Sequence, residues 1–414
     1  MPQTVLGLDI GANTIKAVLF ARKGLTGGRV LAARTLNINA CGGMEPTLKK
    51  LAENKIFCNI PCCISLPLAD VMFRQVNLPF RDDTKIRKTL AFELEPLIPL
   101  AVDELITDYL TIPRDGLLVA ALTKKSILDW IDQVETSLGK ISIIDVSPSV
   151  LAAQILAEKT SIACGIILDI GTSSTAAVFY ENGSIVQVRS LAFGGEQITA
   201  ALAQDLSVEK DEAEQLKIKA GYPALCAKAD DVCRHFCSEL KNTIEYMKLN
   251  RSIQNDPAHI AITGGGSLFA PLRKELENYF SLPLDVINLV RMKQLEIEEN
   301  IQRECPPQIM NTAIAAAMRI FTGRKSFNFR HGEFAAGNVR LDLKKQLKWA
   351  AVVTGIIFLL AAVNQFLDYD LKTQRLNNIK KQISLIFKKN FPEAQAMVDP
   401  VQQLKTKLDE NKKS

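Results

Sequence analysis

Val5-Leu6-Gly7-Leu8-Asp9-Ile10-Gly11 returns 160 residues later as Gly165-Ile166-Ile167-Leu168-Asp169-Ile170-Gly171. Each copy is an apolar run ending in Asp-x-Gly. Each then crosses small polar residues into a second apolar run, Ala17-Val18-Leu19-Phe20 or Ala176-Ala177-Val178-Phe179. The pattern predicts two β-hairpins with a carboxylate at each turn. Such a turn gathers backbone N–H groups beside an acid, which suits phosphate oxygens and their divalent cation. One Asp-x-Gly turn carries little, because Asx turns that bind nothing are common. A third motif adds weight: Ile260-Ala261-Ile262-Thr263-Gly264-Gly265-Gly266-Ser267, a strand entering a triple-glycine turn, with a helix expected over Leu268 to Phe280. Glycine there permits positive φ angles and close approach of backbone to a flat ligand.

The order Asp9-Ile10-Gly11…Lys16, Asp169-Ile170-Gly171-Thr172 and Thr263-Gly264-Gly265-Gly266 resembles the two phosphate motifs and the adenosine motif of the actin-like ATPase superfamily. The resemblance implies an α/β fold of two lobes with duplicated ribonuclease-H-like topology, clamping Mg-ATP between them. It gives Lys16 to the phosphates, and Asp9 and Asp169 to Mg²⁺ through water. Gly11, Gly171 and Thr172 then line the phosphate turns, and Gly264, Gly265 and Gly266 the adenosine side. Ala213-Glu214-Gln215-Leu216-Lys217 resembles the helix whose Glu and Lys meet ribose and adenine, which assigns Glu214 and Lys217.

Phe73-Arg74-Gln75-Val76-Asn77-Leu78-Pro79, the stretch from Glu93 through Ile98-Pro99 to Asp108-Tyr109, and Phe193-Gly194-Gly195-Glu196-Gln197-Ile198-Thr199 resemble the PilM family of type IV pilus assembly proteins. Phe327-Asn328-Phe329-Arg330-His331-Gly332-Glu333-Phe334-Ala335 resembles the signature preceding the membrane span in the GspL family of type II secretion. Phe391-Pro392 and Val398 to Leu404 are also GspL-like. The resemblance implies an inner-membrane assembly platform. Its expected partners are a cytoplasmic hexameric secretion or pilus ATPase and a single-span protein of GspM, PilN or PilO type. GspL proteins usually continue into a ferredoxin-like periplasmic domain, whereas here the sequence stops about ten residues after Leu404. Ala12 replaces a hydroxyl found in several superfamily ATPases, and Thr172-Ser173-Ser174 lacks their extra glycine, which puts fast hydrolysis in doubt. For the residue that positions water, Asp145 and Glu196 are candidates, although neither sits in a motif that fixes its geometry.

The C-terminal part has its own pattern. Trp349 to Leu367 is apolar except for Thr354, Asn364 and Gln365. At about 1.5 Å per residue it spans roughly the hydrocarbon thickness, so a single transmembrane helix is expected. Lys344, Lys345 and Lys348 precede it, but basic residues nearly balance across it and do not orient it. Beyond it, Tyr369, Lys372, Leu376, Ile379, Ile383 and Ile386 recur at three- and four-residue steps, a coiled-coil seam that predicts a homodimer or a paired helix. The expected organisation is a cytoplasmic actin-like domain over 1–325, a connector over 326–348, the span over 349–367 and a periplasmic helical tail over 368–414.

Composition supports this division. Of the net charge of +5, +4 lies in residues 368–414, leaving 40 basic against 39 acidic residues before them. A neutral body does not suit nucleic acid. All nine cysteines lie between Cys41 and Cys305, an odd number at irregular spacing, as in a reducing compartment. Cys233 and Cys237 stand four apart on a stretch whose helical apolar stripe is Val232, Phe236, Leu240, Ile244 and Met247, so small buried thiols are expected rather than zinc. The start lacks a charged n-region, and Asp9 interrupts its apolar run, so no export signal is expected. Two other readings are an FtsA-like polymerising anchor and an actin-fold small-molecule kinase. The kinase reading lacks a catalytic acid motif.

Overall fold

The computed structural model describes residues 4–24, 27–113, 116–158, 163–219, 226–322, 326–335, 343–390 and 399–412; the side chains of 343–353, 390, 400, 404 and 411 fall outside that description. The chain divides into two compact units, Met1–Gly337 and Asn338–Ser414.

In the first unit the opening apolar run forms β1 (Thr4–Ile10), which returns as β2 (Thr14–Lys23) and β3 (Gly27–Asn37). Next come α1 (Met44–Glu53), β4 (Cys62–Leu66) and an inserted group of β5 (Met72–Asn77), α2 (Asp83–Leu94), β6 (Leu105–Ile112) and β7 (Gly116–Thr123). The lobe continues with α3 (Lys124–Ser137), β8 (Ile141–Val146) and α4 (Ser147–Leu156). The second hairpin is β9 (Cys164–Ile170) and β10 (Thr175–Glu181), extended by β11 (Ser184–Leu191). After it come α5 (Gly195–Leu206), α6 (Lys210–Lys219), α7 (Ala227–Leu249), β12 (Ile260–Thr263), α8 (Ala270–Phe280) and β13 (Leu284–Val286). The chain then recrosses through α9 (Leu289–Met292), β14 (Glu296–Ile297), α10 (Glu299–Glu304) and α11 (Pro307–Met318).

Helix starts follow their capping chemistry. Asp82 accepts from Lys85 N–H before α2, and Thr123 from Ser126 N–H before α3, satisfying donors that have no intrahelical partner. The helix expected from Leu268 begins at Ala270, because Gly265–Leu268 forms a 3-10 turn and Pro271 fits the first helical turn.

The expected duplication is present. One sheet has the order β14-β3-β2-β1-β4-β8 and the other β11-β10-β9-β12-β13. In each, an antiparallel meander is joined to two parallel strands on the far side of its Asp-bearing strand. The β5-β7-β6 sheet is separate and has its own core of Leu90, Leu94, Val119 and Ala121. Gln75 ties it to the second lobe, donating to Val186 O at 2.8 Å and Ser252 O at 3.0 Å.

Two helices occupy the middle. α4 touches β4 and β8 of one sheet and β10 and β11 of the other, while α11 lies on β1, β2, β4 and β12. Both are buried nearly all round, as helices enclosed on every side must be apolar on every side. The approach is close: a Cβ at Gly7 would lie 2.1 Å from Ala313 O and 2.6 Å from Ala317 N.

The second unit contains α12 (Leu343–Asn390) and α13 (Pro400–Asn411), which contact each other, with Phe387 buried. Asp399 caps α13, accepting from Val401 and Gln402 N–H. Among the described residues no helix is long and apolar enough to cross a membrane, so the span expected over Trp349–Leu367 finds no support there. The described apolar stretch runs only to Val363 before Asn364 and Gln365, and residues 349–353 lie outside the described side chains. Tyr369, Leu376, Ile379 and Ile386 of the expected seam are exposed. Phe391-Pro392 and Val398 lie outside the described residues.

Candidate nucleotide cleft

The first hairpin places its acid opposite its lysine. Asp9 and Lys16 are direct cross-strand partners, and Lys16 Nζ lies 2.8 Å from Asp9 Oδ2. The other carboxylate oxygen accepts from Ser147 Oγ at 2.8 Å and Ser65 Oγ at 3.3 Å. Ser65 lies on the neighbouring parallel strand at the register of Asp9, and Ser147 is the first residue of α4. Asp9 is thus buried and held on both oxygens, as a carboxylate removed from water has to be.

Asp169 is the counterpart in the second lobe. Its register partner on β10 is Ala176, so this hairpin brings no lysine of its own. Thr312 of α11 donates to Asp169 Oδ2 at 3.3 Å. Burial raises the Asp169 pKa above the ordinary carboxylate value, against the pull of Lys16, and Asp9 raises it further. Lys16 shows the reverse balance. Burial acts to lower its pKa, but Asp9 and then Asp169 outweigh burial and hold it above the ordinary value. One ammonium therefore faces two carboxylates, a concentration of charge that a bound divalent cation would relieve.

The three glycine-bearing turns converge on this pair. Gly11 N–H closes its turn on Thr14 O at 2.9 Å and Gly171 N–H closes its own on Ser174 O at 3.0 Å, leaving Ala12 and Thr172 exposed at equivalent places. Gly264, at φ +82, packs so that a Cβ would fall 2.4 Å from Ile170 O and 2.6 Å from Asp169 Oδ1. A Cβ on Gly266 would meet Ile170 Cγ2 at 2.2 Å, whereas nothing lies within 4 Å of one on Gly265, so that turn leaves an open face. Asn311, fully buried, donates to Thr263 Oγ1 at 2.8 Å and Ile287 O at 2.9 Å and accepts from Leu289 N–H, fixing the loop to α11.

Glu214 and Lys217 are brought to the second turn. Lys217 Nζ donates to Glu214 Oε2 at 2.6 Å, Thr199 Oγ1 at 2.7 Å and Gly195 O at 3.0 Å, and Thr199 also bonds Glu214. Gly195 N–H in turn donates to Gly171 O at 3.0 Å. Gly194 allows this docking, since a Cβ there would lie 2.4 Å from Thr172 O. Across the mouth, Asn13 Nδ2 of the first turn donates to Glu196 Oε1 at 2.7 Å, linking the two lobes.

Asp145, a candidate for positioning water, is engaged elsewhere. It is buried and pairs with Arg319 at 3.1 Å while accepting from Ser326 and Ser149. A cavity of about 390 Å³ lies toward the opposite end of α4 from Ser147, lined in part by Tyr109, Thr111, Leu156 and Ser184; it is remote from the carboxylates and contains none of the cleft residues. Cys233 and Cys237 are buried on α7, and burial pushes both thiols up to about 12.

Ser147, Asn311 and Thr312 are absent from the motif reading. Their one sequence signal is a polar pair, Asn311-Thr312, inside the alanine-rich run from Ile309 to Met318.

Residues 7–321 match the family model described as type IV pilus assembly protein PilM. A solved PilM-PilN type IV pilus biogenesis complex is similar over 77% of this chain and 99% of that one, at 20% identity and a TM-score of 0.65, a likeness of fold. The cytoplasmic domain of EpsL, an inner-membrane component of the type II secretion system of Vibrio cholerae, matches 80% of this chain and 99% of its own at 11% identity and a TM-score of 0.44. The cell division protein FtsA of Staphylococcus epidermidis is 34% identical over 107 residues, 25% of this chain and 22% of FtsA. The chain therefore spans about a fifth of the length of that curated relative.

Proposed function

The chain belongs to the type IV pilus assembly protein PilM family, and from that premise we propose that it is an assembly-platform component of a pilus or type II secretion machine, holding Mg-ATP between its lobes. The observation that carries the nucleotide reading is the meeting of Asp9, Lys16 and Asp169 beside an open-faced glycine turn. Asp9 and Asp169 would hold the cation through water, Lys16 would meet phosphate oxygens, and Gly265 leaves room for a flat base. A bound magnesium ion would supply neutralisation of phosphate charge.

The residues favour holding over cleaving. Asp145 is bound to Arg319, and Glu196 is engaged by Asn13. Glu214 and Lys217 lock α5 to α6 at the cleft wall and would have to exchange part of that contact for ribose and adenine. The reading is a nucleotide-binding scaffold with at most weak ATPase activity.

Partners follow from the same premise: a cytoplasmic hexameric ATPase, and a single-span protein of GspM, PilN or PilO type, as in the PilM-PilN complex. Tyr369, Leu376 and Ile379 of α12, which are exposed, would form the seam of a homodimer. Attachment to the bacterial inner membrane through residues 349–367, with the body cytoplasmic and the tail periplasmic, belongs to the same proposal and rests on the hydropathy of the whole run. Co-purification from membranes followed by mass spectrometry tests the platform reading. Recovery of a hexameric ATPase with single-span proteins is the expected result, and recovery of none of them contradicts it.

The FtsA match favours a second reading, a polymerising anchor. Nucleotide-dependent pelleting of the purified chain would favour it over the platform.

A further inference from the structure

Residues 326–335 are held firmly in the body. Phe327 and Phe329 are fully buried. Phe329 N–H donates to Ile144 O at 2.8 Å, Ile144 N–H to Asn328 Oδ1 at 3.3 Å, and Asn328 N–H to Asp108 Oδ2 at 2.9 Å. Ile144 lies on β8, an edge of the six-stranded sheet, and Asp108 on β6, an edge of the three-stranded one. Residues 326–335 therefore form a strap between two sheet edges and cover backbone groups that an open edge would expose. Arg330 bonds Glu135 at 2.6 Å, and Glu333 bonds Lys124 at 2.8 Å.

The start of the strap is fixed by a buried charge network. Arg319 donates to Asp145 Oδ2 at 3.1 Å and to Ser326 O at 3.0 Å, and Ser326 Oγ donates to Asp145 Oδ1 at 2.8 Å. The same Asp145 oxygen accepts from Val146 N–H at 2.7 Å and Ser149 Oγ at 3.1 Å, at the first turn of α4. Ser147, between them, donates to Asp9 Oδ1 at 2.8 Å. Asp9 and Ser326 are thus joined through one helix start, and that helix packs on both lobes. A buried network of this kind acts as a unit, because an unmet charged partner costs its full desolvation.

We propose that Asp145, Arg319 and Ser326 form a positioning hub through which occupancy of the nucleotide cleft and seating of the strap depend on one another. The inference rests on the Mg-ATP reading. A cation that draws on Asp9 alters its bond to Ser147, and the start of α4 carries that change to the acceptor set of Asp145. By reciprocity, release of Ser326 reaches Asp9. The strap holds the last described residues of the first unit.

Hydrogen exchange on the full chain with and without Mg-ATP tests this, together with Mg-ATP affinity for wild type, Ser326→Ala, Ser147→Ala, Ser147→Thr and Ile127→Ala. The expected results are a changed exchange rate in peptides covering 326–335 when Mg-ATP binds, and an affinity altered about fivefold or more by Ser326→Ala. Ser147→Ala should uncouple the two, and Ser147→Thr, which keeps the hydroxyl, should restore coupling. Ile127→Ala, which truncates a fully buried side chain of α3 outside the hub, should lower stability and leave affinity unchanged. Mg-ATP binding with unchanged strap exchange and wild-type affinity in Ser326→Ala overturns the hub alone. Absence of Mg-ATP binding by the wild type overturns the nucleotide reading and the hub with it.

Discussion

At the scale of single residues, the cleft is defined by one lysine shared between two carboxylates. Ala176 occupies in the second hairpin the register position that Lys16 occupies in the first, so removing Lys16 leaves Asp9 and Asp169 facing each other uncompensated. Lys16→Met should abolish Mg-ATP binding and cost about 3 kcal/mol in urea unfolding at neutral pH, the scale for breaking a buried pair from one side. An unchanged midpoint would show that the carboxylates do not need it. Asp145 offers a pH signature. Burial, opposed by the Arg319 guanidinium and by hydrogen bonds, pushes its carboxyl from 3.8 up to about 6. A carboxyl raised by folding holds its proton more tightly in the folded state. The stability it contributes is therefore complete below about pH 3.8 and lost as pH rises through about 6. Asp145→Asn should flatten the pH dependence of unfolding free energy across that window, and an unaltered slope would contradict the assignment. The two Asp-x-Gly hairpins were legible in the sequence because each is a local pattern of apolar run, turn and apolar run, whereas Lys16 was singled out by the family resemblance. Ser147, Asn311 and Thr312 were not, because they arrive on helices from distant parts of the chain.

Among the elements, α4 and α11 carry the architecture. α11 can lie on β1 only because position 7 has no side chain: Gly7→Ala would force a Cβ against Ala313 O and Ala317 N. Overpacking of this kind should cost about 1–3 kcal/mol, read as a lowered midpoint in denaturant; a neutral result would require α11 to shift. The hairpins and the triple-glycine strand could be read from continuous apolar runs bounded by turn residues. The helix role of α11 could be read from its alanines, but its position between both lobes could not, since nothing local says which sheets a helix covers. The long α12 presents Tyr369, Leu376 and Ile379 to solvent. If they form a seam between two copies, Leu376→Asp with Ile379→Asp should convert a dimer to a monomer in sedimentation equilibrium. A wild type that is monomeric at every concentration would contradict the seam.

For the molecule as a whole, the repeat that opens each half foretold the duplicated lobes, and the two sheets share one strand order around their Asp-bearing strands. The strap at 326–335 was read as the start of a connector, because its aromatic residues resemble a signature near a membrane span. Its burial instead comes from two sheet edges far away in sequence, β6 and β8, which no local pattern announces. Membership of a pilus assembly family and the meeting of Asp9, Lys16 and Asp169 beside glycine-bearing turns together make Mg-ATP binding the reading most in need of a test. Isothermal titration of Mg-ATP into the wild type and Asp169→Ala tests it most directly, with circular dichroism to establish that the variant is folded. The account predicts saturable binding by the wild type and none by folded Asp169→Ala; equal binding by both would contradict it.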